Sequence, residues 1–126
     1  MGDYVPVYAG GAQPFGMTAS ATITGGQVLI ASGVGTVAPA AGADGKVIGV
    51  AAHDAANGAR VSVWPIPGIT HETITPTGAT AGNALASAAA GTVDPGTLAT
   101  LAAAGTLIGT ATSTATAGNK CRWVGR

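Results

Sequence analysis

Two histidines are the first candidates for chemistry, because an imidazole can act as a general base or a metal ligand near neutral pH. His53 is followed by Asp54, and His71 is followed by Glu72. Neighbouring residues of a strand point to opposite faces, so neither acid can orient the imidazole beside it as a catalytic triad requires. The spacings His-x-His and His-x-x-x-His, typical of zinc sites, do not occur. We therefore expect both histidines to be polar surface residues.

The other residue types that could carry chemistry also lack their partners. Cys121 is the single cysteine, which excludes an intrachain disulfide and a thiolate metal site. The string Gly33-Val34-Gly35 lacks the third glycine and the following helix of a dinucleotide-binding fingerprint. Asp44-Gly45-Lys46 is similar to the lysine turn of a lipoyl-type carrier, although a lone lysine among turn residues is typical of an ordinary turn. The sequence predicts no active site, no cofactor and no metal, and hence no enzyme.

The elements that carry these residues belong to a pattern that occurs twice. Residues 45–65 read as two strands around a turn: a β-branched apolar run, a turn of small and polar residues, and an alternation of polar with apolar residues. Shifted by sixty positions, 105–125 lies over this stretch without a gap, and a shift of fifty-six aligns 26–39 with 82–95. The matches include Gly45 with Gly105, Ile48 with Ile108, Gly49 with Gly109, Ala51 with Ala111, Ala55 with Ala115, Gly58 with Gly118 and Val61 with Cys121.

A repeat of this size predicts two copies of a roughly fifty-residue β-unit. We place the copies at about 17–66 and 70–124, in one β domain over 17–126 that follows an extended N-terminal arm at 1–16. The stretch 82–91 contains good helix formers, but its match to the first copy favours a strand. The predicted fold class is all-β with one short helix, built as a compact barrel from the two pseudo-repeats.

The helix is predicted where the second copy carries four extra residues. Asp94 has the side chain of an N-cap, Pro95 suits the first helical position, and Leu98 and Leu101 lie three residues apart. Gly105 should end the helix. Cys121 stands where the first copy has a valine, so we expect it to be a small buried hydrophobe.

The arm combines residues that break regular structure with residues that favour an extended chain. Pro6 and Pro14 lack backbone donors, and Gly10 and Gly11 loosen the chain. Two interpretations stay open: the arm folds back onto its own domain, or it orders on a partner by adding a strand or inserting aromatic groups into pockets. The candidate contact residues are Tyr4, Val5, Pro6, Val7, Tyr8 and Phe15.

Trp64 breaks the alternation of its strand. If Val61 and Val63 face the core, Trp64 lies on the polar side and needs cover. That cover comes either from the loop at 65–67 or from a contact with another subunit. The candidate residues for a subunit or capsid interface are Trp64, Ile66 and Trp123.

The composition excludes several kinds of partner. Charged residues are 8% of the chain, with five Lys and Arg against five Asp and Glu, whereas a soluble domain usually has about a quarter. Nucleic acid is excluded because phosphate binding needs clustered cations. A membrane span is excluded because no apolar run approaches about eighteen residues, and the N-terminus lacks a signal-peptide pattern, which indicates synthesis and assembly inside a cell. A surface so poor in charge has little protection against association, so we expect sister subunits or a larger assembly to cover it.

The run GKVIGVAAHDAANGARVSVWP, following GGQVLIASGVGTVAP, resembles the head decoration, or capsid cement, proteins of tailed bacteriophages. More widely, it is similar to proteins with the β-clip or β-tulip fold, in which an apolar strand ending like Gly49-Val50-Ala51 leads through small residues to a Val-rich strand. The resemblance implies a homo-trimer on the outer surface of a virion, made in the host cytoplasm, whose arm orders on the major capsid protein. The alternative class is a carbohydrate- or receptor-binding β-module of a virion, in which Trp64 and Trp123 would line a groove.

Overall fold

A computed structural model describes residues 3–126, and it is built almost entirely of β-strands. In the first half, alternating small and β-branched residues form five strands. These strands are β1 (Phe15–Ala19), β2 (Val28–Gly33), β3 (Thr36–Pro39), β4 (Val47–Ala51) and β5 (Arg60–Trp64). They close into a barrel in the order β1-β3-β2-β4-β5, because β5 pairs antiparallel with β1 and β1 pairs parallel with β3.

The second half forms five strands and the helix. These elements are β6 (Thr70–Thr75), β7 (Ala84–Ala88), β8 (Thr92–Gly96), α1 (Leu98–Ala104), β9 (Leu107–Ala111) and β10 (Asn119–Gly125). The sheet order is β6-β10-β9-β7-β8. Four of the five strand pairs of the barrel recur in this sheet, and the fifth, β1 with β3, has no counterpart between β6 and β8. The boundaries predicted for the arm and for the two copies are not fixed by these pairings and stay predictions.

The strand pairing of the two halves differs at one place: β1 pairs with β3, whereas β6 does not pair with β8. In the first half, the backbone N–H of Ser20 donates to the carbonyl of Val37 at 2.9 Å and joins β1 to β3. Pro76 stands at the corresponding place after β6, and proline has no N–H to donate. The Asp94 side chain of β8 instead accepts from the Thr77 hydroxyl at 2.8 Å. Over the described residues, β6 and β8 are therefore the free edges of an open sheet.

Two clusters of buried side chains form the core. The first lies inside the closed barrel and consists of Ala19, Ile23, Leu29, Val37, Ala51, Ala55, Val61 and Val63. The second joins both halves and consists of Val28, Val50, Ile66, Ala79, Leu85, Val93, Ile108, Ala111, Cys121 and Trp123. Because the second cluster takes residues from β2 and β4 as well as from the second sheet, the two sheets share a core and hold each other in place. The prediction that Cys121 is buried is confirmed.

The helix lies later in the chain than the sequence predicted. α1 begins after Thr97, and Asp94 and Pro95 belong to β8, so the assignment of Asp94 as the N-cap is wrong. Asp94 pairs with Ala86 in the ladder, and Pro95 is tolerated because β8 is an edge strand. Gly105 ends the helix with a φ of 71°, as predicted. The predicted strand within 82–91 is confirmed as β7, and no helix within 3–126 is long and apolar enough to cross a membrane.

Candidate functional site

The candidate site is the N-terminal segment, residues 3–8, together with the edge of β6 against which it lies. Tyr8 and Thr70 form an antiparallel bridge, in which the Tyr8 N–H donates to the Thr70 carbonyl at 3.3 Å and the Thr70 N–H donates back at 2.9 Å. At the other end, the Tyr4 N–H donates to the carbonyl of Ala52 at 2.6 Å. The chain then turns toward β1 at Gly10 and Gly11, both with positive φ. The segment is thus an extended chain that covers part of an otherwise free sheet edge.

Side chains of this segment alternate between the domain and the solvent. Pro6 is buried and Tyr4 is partly buried, whereas Val5 is 74% exposed and Val7 is also exposed. Tyr8, at the end of the segment, is 64% exposed. Of the six predicted contact residues, Tyr4 and Pro6 turn to the domain, and the remaining four, including Phe15 of β1, present apolar surface to the outside. Their role in binding a partner stays a prediction.

The Tyr4 ring packs against the ring of His71, which in turn packs against the ring of Trp123. The Tyr4 ring lies 5.8 Å from that of His71 at 21°, and the His71 ring lies 5.0 Å from that of Trp123. The Tyr4 hydroxyl is 2.7 Å from Nδ1 of His71 and accepts the backbone N–H of Glu72 at 3.1 Å. Burial raises the pKa of the Tyr4 hydroxyl well above its ordinary value. The hydroxyl is therefore a proton donor at every ordinary pH, and Nδ1 of His71 must accept.

His71 is fully buried, so the prediction of a surface histidine is wrong for this residue. Its Nε2 lies 2.9 Å from the carbonyl of Pro65, which can only accept. His71 is therefore neutral, with its proton on Nε2 and a lone pair on Nδ1. Burial lowers the pKa of this imidazole to about 4, because a cation at this place has no water around it. The other histidine, His53, is partly buried and holds the turn between β4 and β5 by hydrogen bonds.

The predicted interface residues Trp64, Ile66 and Trp123 lie inside or against the chain. Trp123 is completely buried, and its indole N–H donates to the Thr73 hydroxyl at 3.0 Å. Ile66 is buried in the same core. The expectation that these two side chains meet a subunit, a capsid or a sugar is therefore corrected, because neither reaches the surface. Trp64 is partly buried, and its indole N–H donates to the Tyr4 carbonyl at 3.2 Å, so the N-terminal segment supplies part of its cover.

A cleft of about 330 Å³ opens beside the N-terminal segment. Its walls are the turn at 24–27, the edge of β6 at 72–74 and the turn at 90–92. Carboxylates of Asp3 and Glu72 and the ammonium of Lys120 line it, and Glu72 is also 3.4 Å from Arg122. Within 3–126, no group of three or more His, Cys, Asp and Glu side chains is placed to hold a metal ion. The cleft thus has walls of mixed charge and borders the unpaired edge of β6.

Comparison with known proteins gives a likeness at the level of structure. No family model matches the sequence, and no curated protein matches it. The fold is similar to the crystal structure of the head fiber gp8.5 N base in bacteriophage phi29, with a TM-score of 0.68 and 21% sequence identity. The match covers 90% of this chain and 93% of that chain. It confirms a mainly β fold that extends over both halves, whereas the β-clip or β-tulip type stays a prediction.

Proposed function

We propose that this chain is a structural protein of a bacteriophage head, which binds the outside of the shell and stabilises it. The observation that carries the proposal is the likeness of fold, over nine-tenths of both chains, to the base of a phage head fiber. In the proposed assembly the chain is a homo-trimer, made in the host cytoplasm and added to the capsid. Its partner is the major capsid protein, and it needs no cofactor.

The N-terminal segment is the proposed contact with the capsid protein. The segment is extended and lies at the rim of a sheet, with Val5 and Val7 directed outward. An extended chain with one side occupied by β6 can still accept a strand on its other side, with alternate side chains entering pockets of the partner. This contact would place the apolar side chains of the segment out of water.

A surface with few charges supports the same role. The chain has only five cationic and five anionic side chains. Apolar side chains are also exposed to water, and one of them is Val34, in the turn between β2 and β3. Such a surface lacks the repulsion that keeps soluble proteins apart. Many weak contacts, repeated over a shell, add up to firm attachment through effective concentration.

Co-sedimentation with purified heads tests the proposal without removing any strand. We would compare the wild type, the double variant Val5→Asp/Val7→Asp and the control Val34→Asp, since all three altered side chains are exposed. We expect the wild type and the control to sediment with heads, and the double variant to bind at least about tenfold more weakly, because charges on the buried side of a contact stay unpaired. Binding of the double variant at wild-type strength would remove the segment from the interface. Failure of the wild type to bind heads would overturn the function itself.

A further inference from the structure

The N-terminal segment is held to the domain largely by contacts of Tyr4. Apart from the Tyr8 bridge to Thr70 and the buried Pro6, the attachment depends on Tyr4, whose hydroxyl, N–H and carbonyl each make a hydrogen bond to the domain. Neither Tyr4 nor its neighbours in the segment belong to a strand, so displacement of the segment breaks none of the strand ladders. The segment is therefore attached at a few points and can leave as a unit.

The hydroxyl of Tyr4 depends on the protonation state of His71. The Tyr4 hydroxyl donates to Nδ1 at 2.7 Å, and Nε2 of the same ring donates to the Pro65 carbonyl at 2.9 Å. In the imidazolium form both ring nitrogens are donors. The Tyr4 hydroxyl then faces an N–H instead of a lone pair, so its own proton loses Nδ1 as acceptor while its oxygen still accepts the N–H of Glu72. All of these hydrogen bonds form together only when His71 is neutral.

No contact in this pocket offers an anion to a charged His71. The rings of Tyr4 and of Trp123 of β10 lie against the His71 ring, with centroids 5.8 and 5.0 Å away, and Pro65 contributes a neutral carbonyl. The nearest acid along the chain, Glu72, points to the opposite face of β6 and is paired with Arg122 of β10. An imidazolium here can regain solvation only by admitting water. Of its two ring neighbours, Tyr4 is the one that can move without breaking a ladder.

We propose that Tyr4 and His71 form an acid-sensitive latch: the neutral pair fastens the N-terminal segment to the edge of β6, and protonation of His71 releases it. Release frees Val5 and Val7 from their fixed positions and uncovers the backbone of β6 at Thr70 and Glu72. The lowered pKa of His71, about 4, places its protonation, and with it release, near pH 4 and keeps the latch closed at neutral pH. The latch rests on the contacts of Tyr4 and His71 and does not depend on the proposed function, in which the capsid protein binds the segment while it is fastened to β6.

Amide exchange measured on the isolated chain tests the latch directly. Three amides report attachment, those of Tyr4, Tyr8 and Thr70, because each donates across the contact. The amides of Ile23 and Ala55 bond to each other's carbonyls, and both side chains are buried in the barrel, so these two amides serve as the reference for the fold. We expect the protection factors of the first three to fall at least about tenfold between neutral pH and pH 4, while Ile23 and Ala55 stay much more strongly protected than those three at both pH values. Equal protection of the three at both pH values, or a protection factor at pH 4 that is the same for all five amides, would overturn the latch.

Variants assign the effect to the two residues. His53→Gln, a change at the other histidine, should behave as the wild type. His71→Gln replaces the imidazole by a neutral amide that cannot take up a proton in this range, so the acid-induced loss of protection should disappear. If His71→Gln does not fold, Tyr4→Phe serves instead: the reporting amides should then be weakly protected at both pH values, with Tyr8→Phe as the matched control that keeps the wild-type response. An unchanged acid response in Tyr4→Phe would contradict the latch.

Discussion

Gly109 offers the most quantitative test of how the second sheet is packed. It lies in β9, opposite Gly125 of β10. A Cβ added at this position would lie 2.5 Å from the carbonyl oxygen of Val124 and 2.6 Å from Cε3 of Trp123. Ordinary van der Waals contact begins at 3.4 Å, so both neighbours would have to retreat by nearly an ångström. The sheet therefore requires glycine here because of space, and no unusual backbone angle is involved.

The magnitude follows from what the added methyl group meets. The Val124 oxygen is backbone, and the Trp123 ring is fully buried, so neither can turn away as a flexible side chain would. Overpacking of a filled core costs about 1–3 kcal/mol, and we expect Gly109→Ala to lie at the upper end, about 3 kcal/mol. Against a total stability of about 5–15 kcal/mol, this loss is large. Urea unfolding followed by tryptophan fluorescence measures it as a shift of the midpoint.

Two further glycines serve as comparison and control. A Cβ on Gly49, the matching position of the first half, would lie 2.4 Å from the carbonyl oxygen of Trp64, so Gly49→Ala should cost about as much as Gly109→Ala. A Cβ on Gly42 meets nothing within 4 Å, and Gly42→Ala should be neutral or slightly stabilising. If Gly109→Ala unfolds within about 0.5 kcal/mol of the wild type, the close approach of β9 to β10 is wrong.

Three more predictions concern single side chains. Cys121→Val should cost less than about 1.5 kcal/mol in urea unfolding, because Val61 fills the matching place of the first half; a larger loss would show that the two places are not packed alike. The free energy of unfolding should be constant above about pH 6.5 and fall by about 3 kcal/mol toward pH 4, because His71 binds a proton more readily in the unfolded chain than in the buried site. The variant His71→Gln should not show this fall. Asp94→Ala should cost about 1 kcal/mol in the same assay, because the Thr77 hydroxyl loses its acceptor, and an unchanged midpoint would count against that bond.

Local patterns in the sequence were sufficient for most strands. Strands β4 and β5, and their counterparts β9 and β10, follow from β-branched runs and alternation in 45–65 and 105–125. The start of the helix was misjudged because Asp94-Pro95 has the composition of a helix N-terminus. In the structure, pairing with β7 holds these two residues in a strand. Pairing between segments is a tertiary effect that overrides local propensity, so the sequence alone could not place the boundary.

The candidate site was harder to predict for the same reason. The sequence indicates six apolar and aromatic residues of the arm as contact residues, yet it leaves open whether the arm folds back, and their role in binding a partner stays a prediction. Alternation along β6 shows only that His71 and Glu72 face opposite sides, and it does not tell which side is covered. Tyr4, sixty-seven positions earlier, supplies that cover. No local pattern in the sequence pairs Tyr4 with His71, because their contact depends on how the arm folds back.

Cryo-electron microscopy of phage heads mixed with this chain tests the proposed function most directly. If the proposal is right, density for the two joined β-sheets lies on the outer surface of the shell, with residues 3–8 at the contact with the major capsid protein. Heads that lack such density, or density in which residues 3–8 face the solvent, would contradict it.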